Sequence, residues 1–310
     1  MFPIKDFYCN ELFNTALLQL EMISKSLPWS MLTERARTIH SLYTKDRYKA
    51  LERARLVIKC IKNNIVQHTD DVLDVEIPSV VVEASELATI KFLPVMQKPP
   101  NYPLAWHCGK QVNLLSPGEL LCGDRQVILA GSTAPIVCEA KPREGGCGPI
   151  PHSVISFLGI QTSARTETVV RQLCQLIAAF SSQPELCTAW TEKACSEIYR
   201  FLEMQLSARQ DHKEDLSNLK DTNSVWTGKE FVVPRAVATN WSHNGPYLFR
   251  LPDILKHKTN LVAALDIKEV NLFRGGRENQ PCFFNVMAME IAKYKYKEIT
   301  CHIVTPFPPD

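Results

Sequence analysis

Apolar residues recur at helical spacing through the first part of the chain. Leu12, Phe13, Ala16, Leu17, Leu20 and Ile23 predict a helix over 9–27, and Pro28 ends it or starts the next. Leu32, Ala36, Ile39 and Tyr43 repeat the spacing in a second helix. Either Thr44 or Asp46 caps a third over roughly 46–65, where Leu51, Ala54, Ile58, Ile61 and Ile65 form a narrow apolar stripe. Each piece is amphipathic and needs a partner surface. The period changes after Asp71. Val75 and Ile77 alternate, and Val80-Val81-Val82 follows Pro78. Prolines 94, 99, 100 and 103 exclude helix and admit only edge strands and extended chain. Leu114-Leu115 reads as a strand before the turn Pro117-Gly118. The runs Val127–Ala130 and Ile136–Cys138 bracket Gly131-Ser132-Thr133 as a predicted hairpin.

Glu144-Gly145-Gly146-Cys147-Gly148-Pro149 reads as a flexible joint, with a helix starting near Pro151 and ending at Gly159. Helices follow over about 164–180 and 185–207. The second carries Trp190, Ala194, Ile198, Leu202 and Leu206 in one i, i+4 row. Residues 208–223 are charged and polar and predict an exposed loop or frayed helix end. Over Val225–Leu255, Thr227-Gly228 separates Trp226 from Phe231-Val232-Val233 as a tight hairpin ended by Pro234. Asn244-Gly245-Pro246 is a second turn before a short strand Tyr247-Leu248-Phe249. Leu251-Pro252-Asp253 opens a last helical pair over 254–267. Trp226, Trp241 and Tyr247 are expected to form an aromatic clasp that docks this hairpin on helices. The expected fold class is α+β: a helical unit (1–70), a small irregular β-rich region (71–150), a helical region closed by the Trp-rich hairpin (151–270) and a divergent tail (271–310). In the tail, Gly275-Gly276, a charge run and TPFPPD predict little regular structure.

Composition narrows the chemistry. The 310 residues are 45% hydrophobic and 22% charged with a net charge of +2, which gives no global pull toward nucleic acid. Eleven cysteines are scattered without a CxxC pair, so neither a zinc knuckle nor a thioredoxin-type motif is written. They predict reduced, buried thiols in a reducing compartment, with Cys174 and Cys195 on apolar helix faces. The N-terminus lacks a signal-type apolar core, and no window of ~18 apolar residues occurs. The expectation is a cytoplasmic protein without a membrane segment.

Charge is uneven along the chain. Between Glu34 and Lys62 stand nine Lys/Arg (Arg35, Arg37, Lys45, Arg47, Lys49, Arg53, Arg55, Lys59, Lys62) against three acids (Glu34, Asp46, Glu52), an excess of +6. Lys49, Arg53, Arg55 and Lys59 fall away from the apolar stripe and are the candidate partner-binding residues. The functional reading is an anion-facing surface for an acidic protein, a phosphate or RNA. The alternative is a solvated face neutralised by acids from elsewhere in the fold. Absence of aromatic interleaving argues against base stacking.

Three chemistries come into question at single sites. Cys147 with His152, and Trp106-His107-Cys108, each lack the second half of a zinc site. Cys147 before a helix invites comparison with a dipole-activated nucleophile. Gly145–Gly148 leading into a helix invites comparison with an anion loop, yet neither GxxxxGK[ST] nor GxGxxG is present. His243, between Trp241 and Gly245, reads as a turn residue. No catalytic, metal or cofactor site is therefore expected.

Several long segments resemble the large repeats of the sacsin family of giant cytoplasmic chaperone-like proteins. They run in order through LPWSMLTERARTIHSLYTKDRYKALERARLVIKCI, KFLPVMQKPPNYPLAW, NLLSPGELL, QVILAGS, GGCGPIPHSVISFLGI, TEKACSEIYRFLE and WTGKEFVVPRAVATNWSHNGPYLFRLPDIL, roughly 25–270. The tail after Val270 departs. The resemblance implies the non-ATPase part of a repeat. The family's ATP-binding domain, like that of the ninety-kilodalton heat-shock chaperones, is not written here: DxGxG and a Gly-rich lid are absent. The ubiquitin-like, J and nucleotide-binding C-terminal domains are missing too. The resemblance therefore implies a non-catalytic scaffold that contacts client or chaperone-system proteins, with no nucleotide cofactor. The alternative is a phosphate- or RNA-binding module using the basic helices 34–62.

Overall fold

A computed structural model describes residues 27–70, 85–107, 113–208, 216–241, 244 and 248–269. The expected helix 9–27, the runs at 75–82, Tyr247, His243 and the tail lie outside the described residues. The fold is α+β, and the chain divides into two units, Met1–Ile198 and Tyr199–Asp310. The boundary lies within the longest helix.

The first unit begins with a helical hairpin, α1 (Trp29–Tyr43) and α2 (Arg47–Asp70). Pro28 precedes α1, where its fixed φ suits a helix start. Asp46 caps α2 by accepting the Lys49 N–H at 3.0 Å. The stripe follows the 3.6-residue period: Leu51, Ala54, Ile58 and Ile61 are all buried. They meet Leu32, Ala36 and Ile39 of α1 in one core. Each buried Leu or Ile contributes about 1.5–3 kcal/mol, so this stripe rather than helix propensity holds the hairpin.

The same core takes in Leu93 and Val95, Leu114, Val137, Cys147 and the helix α4 (His152–Leu158). Trp29 stacks on Phe157 of α4 with ring centroids 4.9 Å apart. The β content is small. Strand β1 (Leu93–Pro94) pairs antiparallel with β2 (Leu114–Leu115), and Val95 bridges Val137. The Pro-rich chain beyond β1 is held by rings. Tyr102 makes edge contacts with Trp106 at 5.0 Å and Trp190 at 5.3 Å.

Two expectations about residues 71–150 are corrected. Val127–Ala130 is not a strand: it belongs to a short helix α3 (Arg125–Ala130), and Ile136 makes only a parallel bridge to Leu121. A four-residue apolar run carries no period, so packing decides it. Here Gln126, Leu129 and Ala130 turn inward at helical spacing, and the Gln126 carboxamide donates to the Thr162 carbonyl. The Gly-rich segment is not a flexible joint. It lies against 138–141, with the Cys147 N–H on the Cys138 carbonyl at 3.0 Å and the Gly148 N–H on the Ala140 carbonyl at 2.8 Å. A Cβ at Gly146 would stand 2.2 Å from the Ala140 carbonyl oxygen, closer than atoms approach. The glycine permits close backbone approach rather than motion.

Helices α5 (Thr166–Ser182) and α6 (Pro184–Ala208) follow. Val169, Leu173, Leu176 and Phe180 of α5 are buried, whereas Cys174 is exposed, against expectation. Its position lies between the apolar row and the solvent face, and the row packs without it. Gln172 is fully buried instead. Its side-chain oxygen accepts the Ser132 N–H at 3.0 Å, and its nitrogen donates to the Tyr102 hydroxyl at 2.7 Å.

In the second unit, β3 (Val225–Trp226) and β4 (Phe231–Val232) form the expected antiparallel hairpin, with Trp226 opposite Phe231. Strand β5 (Val237–Ala238) pairs in parallel with β6 (Phe249–Arg250). Leu216 and Leu219 are buried inside the segment expected to be an exposed loop. The carboxylate of Glu203 caps helix α7 (Thr259–Ala264), accepting the N–H of Leu261 at 2.8 Å and of Asn260 at 3.2 Å.

Candidate functional site

The basic helices fold as one antiparallel pair, so their charges gather on one element. Three of the nine cations find an acid. Lys49 meets Asp46 at 3.0 Å and Arg55 meets Glu52 at 3.1 Å, both within α2. Arg37 pairs with Glu86, the one acid contributed from elsewhere among the described residues. Arg35, Lys45, Arg47, Arg53, Lys59 and Lys62 have no ion pair among the described residues. Among the described residues, one acid from outside the two helices meets these cations, and six of the nine have no ion pair there.

The four candidate residues do not share one face. Lys49, Arg55 and Lys59 are exposed. Arg53 turns toward α1 and donates to the Thr38 hydroxyl at 3.1 Å, so its charge sits at the seam of the hairpin. The Arg55 stem lies along the Gly-rich segment, where a Cβ at Gly148 would meet its Cδ at 3.5 Å. Asp46 has its carboxyl held below the ordinary range, first by the Lys49 N–H and then by the Lys49 ammonium.

Sequence reasoning missed the apolar half of this surface. Tyr48 is 46% exposed and Leu56 is 53% exposed, both on α2 between the cations. Tyr48 is a single exposed ring among these cations, not the run of aromatics that base stacking uses. Helical phase places Tyr48 off the Leu51/Ile58 stripe, near Arg55 and Lys59, and the structure adds that nothing described covers it.

The Gly-rich segment is chemically closed. The N–H groups of Gly145, Gly146, Cys147 and Gly148 bond to the carbonyls of Pro142, Lys141, Cys138 and Ala140. None is left to cradle an anion. The Cys147 thiol is 1% exposed and donates to the Cys138 carbonyl. Burial pushes its pKa up, and the neighbouring Cys138 and Glu139 push it further. That is the reverse of an activated nucleophile. Cys122 is likewise pushed up to about 12, first by burial and then by the Glu139 carboxylate. His152 opens α4, and His107 has its pKa lowered by burial and by the Arg171 charge. Among the described residues, no group of three or more His, Cys, Asp or Glu side chains is placed to hold a metal.

The clasp is anchored by a residue the sequence did not single out. Tyr199 of α6 is buried. Its hydroxyl donates to the Ser224 carbonyl at 2.7 Å and accepts the Trp226 N–H at 3.0 Å. Trp226 is buried against Phe231 with ring centroids 5.0 Å apart. Trp241 is half-buried, and Tyr247 lies outside the described residues.

Among known proteins, the chain is similar to sacsin of Homo sapiens, with 24% identity over 257 residues. The match covers 82% of this chain and 5% of sacsin, so the chain spans a small fraction of the relative's length. No family model matches the chain. No solved structure matches it.

Proposed function

We propose that this chain is a non-catalytic, sacsin-like, chaperone-related segment that holds other polypeptides on its surface in protein folding or quality control. The observation that carries this reading is the similarity to sacsin across 82% of the chain. Two features support it. The Cys147 thiol, which sequence reasoning considered for chemistry, is buried and held protonated. The surface that stands out instead is a charged and apolar helix face, which suits contact rather than reaction. Six described cysteines are free thiols, in keeping with a reducing cytoplasm. No helix among the described residues is long and apolar enough to cross a membrane.

The test is suppression of aggregation of a denatured client by the purified chain without nucleotide. Turnover of a nucleotide or ester, abolished by changing one side chain, overturns the reading. The persistent charge of the hairpin supports a second reading, a phosphate- or RNA-binding module on residues 34–62. It requires salt-sensitive binding to nucleic acid that is lost when Arg53 and Lys59 are reversed to Glu.

A further inference from the structure

On α2, Tyr48, Arg55, Leu56, Lys59 and Lys62 occupy about 120° of the helix circumference and about 21 Å of its length. The core stripe lies about a third of a turn round the helix from the middle of this face, toward α1 and α4. The surface combines two groups of opposite character. Tyr48 and Leu56 each leave about half of their area in water and stand two helical turns apart, about 12 Å, with Glu52 between them, a spacing that one side of a second helix can span. Around them the local acids are already engaged, Asp46 by Lys49 and Glu52 by Arg55. Lys59 and Lys62 have no ion pair among the described residues. Among the described residues, the net charge available to a partner is positive and lies near the apolar groups.

We propose that this face docks an acidic amphipathic segment of a partner polypeptide, its apolar side chains on Tyr48 and Leu56 and its carboxylates on Lys59 and Lys62. The proposal rests on the polypeptide-holding reading above and names the chemistry of what is held. Charge complementarity selects an acidic partner, and the exposed leucine selects a protein. A phosphate backbone needs the lysines but gains nothing from Leu56, and one tyrosine offers no run of stacking platforms.

The experiment measures anisotropy of a labelled peptide of about 20 residues, with Glu on one helical face and Leu on the other, titrated with the whole chain. Expected is saturable binding that weakens as salt rises above about 50 mM. Lys59→Glu with Lys62→Glu weakens it about tenfold or more, and Leu56→Asp does the same. All three positions are exposed, and unchanged circular dichroism confirms folding. Variants that bind like the wild type overturn the proposal. So does equal binding of the matching Lys/Leu peptide. An RNA oligonucleotide that binds more tightly than the peptide, with dependence on Lys59 and Lys62 but not on Leu56, overturns it in favour of nucleic acid. Client aggregation measured on the same preparations separates the two levels. Wild-type suppression with unchanged peptide binding in the variants refutes this face alone. Peptide binding lost in both variants, without suppression by the wild type, supports the face and refutes the chaperone-related reading.

Discussion

Replacing Gly146 by alanine separates a packed segment from a flexible one by the sign of its effect. In a flexible joint, Gly→Ala removes unfolded-state freedom and stabilises by about 0.4–1 kcal/mol. The structure requires the opposite. The new Cβ would stand 2.2, 2.6 and 2.7 Å from the oxygen, nitrogen and carbon of Ala140, all backbone atoms that no rotamer change can move. Relief needs about 1 Å of separation between 138–141 and 146–148. That movement breaks about two of the three bonds joining them, the Gly146, Cys147 and Gly148 N–H groups on Lys141, Cys138 and Ala140. At about 1 kcal/mol per bond and 1–3 kcal/mol for the overpacking, the expected destabilisation is about 3–5 kcal/mol. Gly118→Ala is the control: its nearest neighbour is the Ala88 carbonyl at 4.0 Å, and its effect stays within about 0.5 kcal/mol. Urea unfolding followed by circular dichroism gives both values, with the midpoint shift interpreted at constant m. Alkylation of Cys147 supplies a local readout, since parting the segments exposes a thiol that is otherwise shut away. A Gly146→Ala protein as stable as the wild type, with Cys147 still protected, refutes the packed segment.

Iodoacetamide at neutral pH is expected to label Cys174 well before Cys122 and Cys147; mass spectrometry showing Cys147 among the first sites contradicts the buried, protonated thiol. Stability should fall as pH rises from about 9 toward 12. The unfolded thiols ionise across that window while Cys122, with a folded pKa of about 12, and Cys147, raised by burial, hold their protons. Below pH ~8 the effect is absent, and urea midpoints across the window check the direction. Gln172→Ala should destabilise by about 2–4 kcal/mol, because it strands the buried Ser132 N–H and the Tyr102 hydroxyl; thermal unfolding within about 0.5 kcal/mol of wild type would show that the network is dispensable.

Helices were legible where apolar residues kept one period for three turns or more. The α2 stripe from Leu51 to Ile61, the α5 row from Val169 to Phe180 and the hairpin about Thr227-Gly228 lie where the pattern put them. The misread segments were short. Val127–Ala130 offered too few residues to distinguish period 2 from 3.6. The glycines at 145–148 looked the same in sequence whether they permitted motion or close approach. Half of the candidate surface was legible as charge, since local excess is a sum over residues. Its apolar half was not, because Tyr48 and Leu56 become informative only when nothing described covers them.

Local order alone therefore determined the helices, the hairpin and the density of positive charge, each an interaction between residues a few positions apart. The tertiary structure decided which charges stayed unpaired among the described residues, that the Cys147 loop was sealed against Ala140, and that Tyr199 holds the Trp226 strand. The Tyr199 anchor joins groups 27 positions apart, and the Cys147 loop, though it closes on residues no more than 9 positions away, depends on whether burial leaves room for water. Spacing along a sequence carries no information about that.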